Sequence, residues 1–519
     1  MATAALSVEV PERYNACDIL DRNLAEGRAD KPAIHWGEET ITYGTLAERV
    51  NAFASALREL GVRREERILL ILDDTPAWPT AFLGAIRIGA VPVPVSPMDN
   101  PQNFVHYARD SYAQVVIVES TLVDKVREAL GELADGLTVL SANGPADDAI
   151  DLSESLDHHA GQQVPMLDTH RDDMAFWLYS SGSTGKPKGV VHLHHDIAYT
   201  CGTYAKDILA IEQADITFST TKLYHAYGMG NNLSFPYSVG AATVLLSGRP
   251  KPQPILETAQ RYRPTLFFSV PTLYNAMLNL PGAGDHDLSS VRLCLSAAEP
   301  LAPSVLRRWQ ETFGLDILDG IGSTEMLHIY CSNTPGAIVP GTSGAPVPGF
   351  ELKLLDENGS ETPQGEIGNL HVRGDSALAF YWHQHEKTKA SINGEWFFTG
   401  DRYRRTEAGG YAYEGRADDM IKVGGLWVSP IEVENVLAEH PLVVEAAAVG
   451  VEADTTMRVK AYVVCREHDR EQAALEAELQ EWCKDRLRRY EYPHFFDFVD
   501  ELPKTLTGKI QRYKLREPG

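Results

Sequence analysis

Between Tyr179 and Gly189 the chain reads Tyr-Ser-Ser-Gly-Ser-Thr-Gly-Lys-Pro-Lys-Gly, directly after the apolar run Met174-Ala-Phe-Trp-Leu178. A strand that opens into a Gly/Ser/Thr loop can aim backbone N–H groups and hydroxyls at phosphate oxygens. The two lysines add positive charge. The nearest generic motif is the P-loop, GxxxxGK followed by Ser or Thr. Gly185-Lys186 supplies the GK, but Ser180 stands where the first glycine belongs and Pro187 where the hydroxyl belongs. Pro187 offers no oxygen to magnesium and restricts Lys186 to extended geometry. The loop therefore points to a nucleotide phosphate and away from a P-loop enzyme. A flexible Gly/Ser linker fits poorly, because the segment follows a buried-looking strand and leads into Val190-Val191.

Three more clusters could do related chemistry. Gly320-Ile-Gly-Ser-Thr-Glu325 sets a carboxylate beside a Gly/Thr turn, which suits magnesium on ATP phosphates, since that ion prefers hard oxygen ligands. Thr399-Gly-Asp401 is followed by Gly415-Arg-Ala-Asp-Asp-Met-Ile-Lys422, and Pro503-Lys-Thr-Leu-Thr-Gly-Lys-Ile-Gln-Arg512 lies near the end. Taken singly, these are a solvated loop, a turn and a basic tail. His192, His194 and His195 crowd together, but no Cys or Glu lies at ligand spacing nearby. Surface and helix-entry roles are expected for them rather than zinc binding.

These residues need a frame. Residues 43–60 read as an amphipathic helix and Arg67-Ile-Leu-Leu-Ile-Leu72 as a buried strand. A helix is expected at about 76–88, with short strands at Val91-Pro-Val-Pro-Val95 and Gln114-Val-Val-Ile-Val118. After the phosphate loop, strands are expected at 241–246, 265–269 and 291–295. This alternation implies α/β layers. Near 350–415, short apolar segments alternate with Gly-rich turns, as in a small β-rich region. The last hundred or so residues read as a separate α/β module, with a helix over about 471–489 and a strand at His494-Phe-Phe-Asp-Phe-Val499.

Composition sets outer limits. At 519 residues the chain is long enough for two or more domains. Its net charge of −25 argues against a general nucleic-acid or anionic-membrane surface, although local Lys and Arg can still hold an anionic ligand. Cys17, Cys201, Cys294, Cys331, Cys465 and Cys483 are scattered, as in a reduced cytoplasmic protein. Neither a signal peptide nor a membrane-spanning run is expected.

Taken in order along nearly the whole chain, the four clusters resemble the adenylate-forming superfamily of acyl- and aryl-CoA ligases, peptide-synthetase adenylation domains and luciferases. The resemblance implies a mixed α/β fold. A large N-terminal domain, 1–417, would have two α/β-layered sheets and a small β-barrel-like region. A small mobile α/β domain, 418–519, would rotate about hinge Asp418. It further implies ATP, Mg²⁺ and coenzyme A. Ser180, Ser181, Gly182, Ser183, Thr184, Gly185 and Lys188 would hold phosphates, with Thr184 and Glu325 toward the metal and Thr324 on a phosphate. Ala297, Ala298, Glu299, Asp319, Gly320 and Ile321 would line the nucleotide. Ile321 departs from the aromatic residue usual beside adenine. Asp401 would take both ribose hydroxyls, with Arg416 near ribose or phosphate. Lys509 would offset charge as the carboxylate attacks the α-phosphate. Lys422, Gly424 and Gly425 would serve the cofactor side, the glycines in the loop Gly424–Ser429 that lines the thiol tunnel.

Tyr224-His-Ala-Tyr-Gly228, together with the stretch from Gly320 to Ile329, most closely resembles benzoate-CoA ligase-type enzymes. A flat aromatic acid would sit among His225, Ala226, Tyr227, Gly228, Gly320, Gly322, His328 and Ile329. His225 departs from the Phe typical of benzoate ligases and could bond the carboxylate or an ortho substituent. Benzoate, salicylate and anthranilate are the expected acids. An enzyme loading a carrier-protein pantetheine is the alternative, and a homodimer stays open.

Overall fold

A computed structural model describes residues 8–180, 186–416, 419–423, 426–453, 456–466, 471–504 and 510–516. The first sheet is fully parallel, in the order Val91–Val95, Arg67–Ile71, Val115–Glu119, Thr138–Ala142 and Ile150–Asp151. Its first three strands are buried almost throughout, as expected of a parallel sheet covered on both faces. The helix Tyr43–Glu59 starts where Thr42 Oγ1 accepts the Thr45 amide. It buries Leu46, Val50, Phe53 and Leu57 on one stripe. Gly84 lets the neighbouring helix Ala77–Arg87 approach, since an added Cβ would lie 2.7 Å from Phe53 Cδ1.

The second sheet has nine strands. At its centre Leu266–Ser269, Leu293–Ser296 and Ile317–Gly322 run parallel, and Ile329–Ser332 returns antiparallel against Ile317–Gly322. Ligand loops of open α/β sheets gather beyond the carboxyl ends of the strands. Ala297–Glu299 and Gly320–Glu325 lie at that edge.

Met174–Ser180 and Lys188–Leu193 form an antiparallel pair in which Ser180 faces Lys188. Phe380–Tyr381 adds a third strand. The Gly/Ser/Thr loop thus joins two strands, whereas a P-loop runs from strand to helix. The β-rich region expected at 350–415 is a five-stranded antiparallel sheet that includes Trp396–Arg405 and Tyr411–Arg416.

Beyond it, Val443–Ala453, Thr456–Cys465 and Phe495–Phe498 form a three-stranded sheet. Val433, Leu437, Ala448, Val463 and Leu479 belong to its core. The helix expected over 471–489 ends sooner, at Lys484. There the Arg486 amide bonds the Cys483 carbonyl, a tightened last turn of the kind that closes helices. Among the described residues no helix is long and apolar enough to cross a membrane. All six cysteines are free thiols.

Candidate functional site

Glu325 is the centre of a polar cluster. It sits in the short turn Thr324–Met326, where Ser323 Oγ accepts the Met326 amide. Lys188 Nζ donates to Glu325 Oε1 at 3.0 Å, the Tyr381 hydroxyl at 2.9 Å and Ser180 Oγ at 3.3 Å. Lys188 also lies over the Tyr381 ring, 4.1 Å from its centre. Burial pushes the Glu325 carboxyl up. The Lys188 charge and hydrogen bonds from Lys188 and Tyr381 overcome this and hold it below the usual carboxylate range. Burial lowers the Lys188 ammonium despite Glu325. All three donors use the same oxygen, Oε1.

The neighbouring wall has a different character. Ala298 is exposed and left-handed at φ 75°, and Ala297 is buried. Glu299 Oε2 accepts the Thr272 amide and hydroxyl at 3.2 and 2.6 Å. This anchors it to the start of the helix Pro271–Leu278. Asp319 is buried, and burial drives its carboxyl well above the usual range despite the nearby Ser296 hydroxyl and the Leu301 and Gly320 amides. Ile321 is half-buried.

Asp401 and Arg416 are cross-strand partners, with Arg416 Nη1 donating to Asp401 Oδ1 at 3.1 Å. Gly400 between Thr399 and Asp401 has φ 77°, and an added Cβ would lie 2.9 Å from Arg416 Nη2. Lys422 is exposed on the short strand Ile421–Val423.

At the aromatic end, His225 precedes the short helix Ala226–Met229, and its ring meets Tyr224 edge-on at 4.8 Å. Tyr227 faces His328 at 5.4 Å and Phe268 at 6.2 Å. His328 Nε2 lies 3.2 Å from both the Tyr227 carbonyl and Asn231 Oδ1. A carbonyl only accepts, so Nε2 carries a proton. Burial lowers the His328 imidazole to about 3. Ile329 is buried beside it.

Gly228 and Gly322 have a local reason besides room for a ring. A Cβ on Gly228 would collide with the Thr221 and Lys222 carbonyls, and one on Gly322 with the His328 carbonyl. Gly320 likewise lies against the Cys331 carbonyl.

The structure therefore brings Ser180, Lys188, Thr324 and Glu325 together at one end and Tyr227 and His328 at the other. Ser181, Gly182, Ser183, Thr184, Gly185, Asp418, Gly424, Gly425 and Lys509 lie outside the described residues. Tyr381 was not foreseen. Nothing in its run Phe380-Tyr-Trp382 marks it out as a site residue. The surface role expected for the histidines is corrected at two positions, since His192 and His194 are buried. Both faces of Lys188–Leu193 are covered, which leaves no solvent side. His194 does open the helix His194–Thr200, as expected.

The chain belongs to the AMP-binding enzyme family, whose model matches residues 20–382, while residues 432–509 match the AMP-binding enzyme C-terminal domain. It is 44% identical to a benzoate–CoA ligase of Thauera aromatica over 98% of this chain and 97% of that protein. The crystal structure of a benzoate CoA ligase from Burkholderia xenovorans LB400 superposes with a TM-score of 0.90 at 45% identity, covering 97% of this chain and 100% of that one. The anthranilate CoA ligase AuaEII, solved with anthranoyl-AMP, gives 0.92 at 39% identity, covering 98% and 97%.

Proposed function

We propose that this chain activates benzoate, or a small substituted benzoate such as salicylate or anthranilate, and transfers it to coenzyme A. The reaction class is AMP-forming acid–thiol ligation of an aryl acid, in keeping with near-full-length relatives that carry it out. One observation carries the choice of a ring. Glu325 is held ionised, whereas His328, three residues on, is neutral and packed among Tyr204, Tyr227 and Phe235. The anionic end suits a cation carried on nucleotide phosphates, and the neutral aromatic end suits a flat ring.

The chemistry follows from a poor leaving group. Attack of the carboxylate on the α-phosphate of ATP makes an aryl-adenylate and releases pyrophosphate, after which a thiol displaces AMP. Glu325, an ionised hard-oxygen donor, fits magnesium, with Thr184 assigned beside it. A bound magnesium would spread the charge of the phosphates. Ser180 and Lys188 act from the hairpin ends of the phosphate loop, and Thr324 from the facing turn. Asp401 and Arg416 address the ribose. Lys509 offsets charge during the first half-reaction and must withdraw before the second. The division into 1–417 and 418–519, with hinge Asp418, provides that withdrawal by rotation. Free thiols suit a cytoplasmic setting.

The test is a panel of acids assayed for AMP release with coenzyme A or a carrier protein. Benzoate-sized acids should respond to coenzyme A. Absence of ATP–pyrophosphate exchange with every acid tested would overturn the reading.

A further inference from the structure

The Thr324–Met326 turn is held carbonyl by carbonyl. The Glu325 carbonyl accepts the Leu378 amide at 2.7 Å, and the Met326 carbonyl accepts Ser376 Oγ at 2.9 Å. The Thr324 carbonyl lies 2.8 Å from His192 Nε2. On the far side of the same ring, His192 Nδ1 lies 2.7 Å from Asp196 Oδ2. Both side chains are wholly buried. Because a carbonyl only accepts, Nε2 must donate, and Nδ1 shares its proton with the carboxylate. Asp196 Oδ2 also accepts the Leu193 amide at 3.1 Å, which pins the carboxylate at the start of the helix His194–Thr200. Phe176 stacks on the ring at 5.2 Å and 21°. The imidazole is thus fixed in plane and at both nitrogens.

Such a pair is expensive in a core, since desolvation of two charged groups can exceed their attraction. An apolar pair of similar volume would suit the packing alone. What the pair does that an apolar one could not is grip the carbonyl that immediately precedes Glu325. We propose that His192, backed by Asp196, is a positioning residue for the nucleotide–metal corner. It sets the direction in which Thr324 and Glu325 present their side chains. The inference rests on reading Glu325 as the residue that meets the metal–nucleotide, and it adds the device that aims it.

The experiment compares His192→Leu, His192→Gln and Glu325→Gln in the full chain. Three quantities are read: Mn²⁺–ATP binding by the spin-resonance signal of the metal, KM and kcat of ATP–pyrophosphate exchange, and thioester formation from supplied benzoyl-AMP. His192→Leu should weaken Mn²⁺–ATP binding and raise the KM for ATP by about tenfold, the loss expected for a buried charge-assisted hydrogen bond. Thioester formation should stay within about twofold, which also reports a folded chain. His192→Gln can still reach the Thr324 carbonyl with its amide and should recover most of the loss. Equal falls in both half-reactions, no recovery by Gln, or unchanged nucleotide binding in His192→Leu would each overturn the proposal. Unchanged Mn²⁺–ATP binding in Glu325→Gln would instead overturn the role given to Glu325, so the two failures are distinct.

Discussion

Glu325 and Asp319 are both buried acids at the end of the same sheet, and their carboxyls shift in opposite directions. Burial raises both carboxyls. At Glu325 an ammonium 3.0 Å away reverses the effect. At Asp319 only neutral donors answer, and the carboxyl stays well above its ordinary value. His328 follows the same rule from the basic side, because burial without a counter-charge leaves it neutral. A single lysine therefore draws the line between an ionic end and a neutral end. The proposed function assigns phosphate chemistry to the first and an aromatic ring to the second.

The severest way to break this division is to remove charge where it must change during reaction. Lys509→Ala should lower adenylation by about 10²–10³-fold, the usual scale for a lost electrostatic group, and should spare thioester formation from supplied aryl-AMP. Measuring both halves on one preparation checks this, and equal loss in both would remove the case for domain rotation.

Next in size is the pair that draws the line. Lys188→Met leaves the Glu325 carboxylate buried without its cation, a change that costs about 3–5 kcal/mol in comparable sites. A denaturant midpoint well below that of the unaltered chain is expected. Adding Glu325→Leu should restore much of the stability but no adenylation, because an apolar pair packs adequately and cannot meet a cation. If the single variant were as stable as the parent, the ion pair would not be what keeps Glu325 charged.

The cluster around Glu325 was legible in part, because Ser180 and Lys188 come from one short run and Thr324 and Glu325 from another, and the structure brings the two together. Tyr381 was not, because it reaches Glu325 from 56 residues away through a third strand paired to Val190. No local spacing encodes that pairing. His192 was misplaced for a related reason. A strand covered on both faces loses the alternation that separates inward from outward residues. The glycines at 228 and 322 were read as space for a ring, yet their nearest neighbours are backbone carbonyls. Sequence could register the need for glycine there but not what stands against it.

A milder probe is pH. His328 is held at about 3 against an ordinary 6.5. Between those values the unfolded chain binds a proton that the folded chain refuses, so stability rises with pH and is lost as pH falls. The slope from this one group is about 1.4 kcal/mol per pH unit. Asp319 works the other way. Its folded form keeps a proton that the unfolded chain gives up above 3.8, so its contribution declines as pH rises. Urea midpoints at pH 4–6.5 should lose part of their upward slope in His328→Phe and gain slope in Asp319→Asn. Identical slopes in His328→Phe and the parent would mean that the neutral end is not neutral.

The smallest expected effect concerns His225, beside Tyr224 at the aromatic end. Its amide donates to the Lys222 carbonyl at 3.0 Å and its carbonyl accepts the Met229 amide at 2.8 Å. The turn is therefore built on backbone, and any side chain that keeps the edge contact with Tyr224 preserves it. His225→Phe keeps an aromatic ring against Tyr224, and its cost in stability should stay within about 1.5 kcal/mol, the scale of one neutral hydrogen bond. What it removes is a nitrogen able to bond an ortho hydroxyl or amino group. One neutral hydrogen bond is worth about 0.5–1.5 kcal/mol, so the ratio of kcat/KM for salicylate or anthranilate over benzoate should fall several-fold. A ratio that does not move would make His225 a packing residue and shift the choice of ring substituent to Tyr227 and His328 alone.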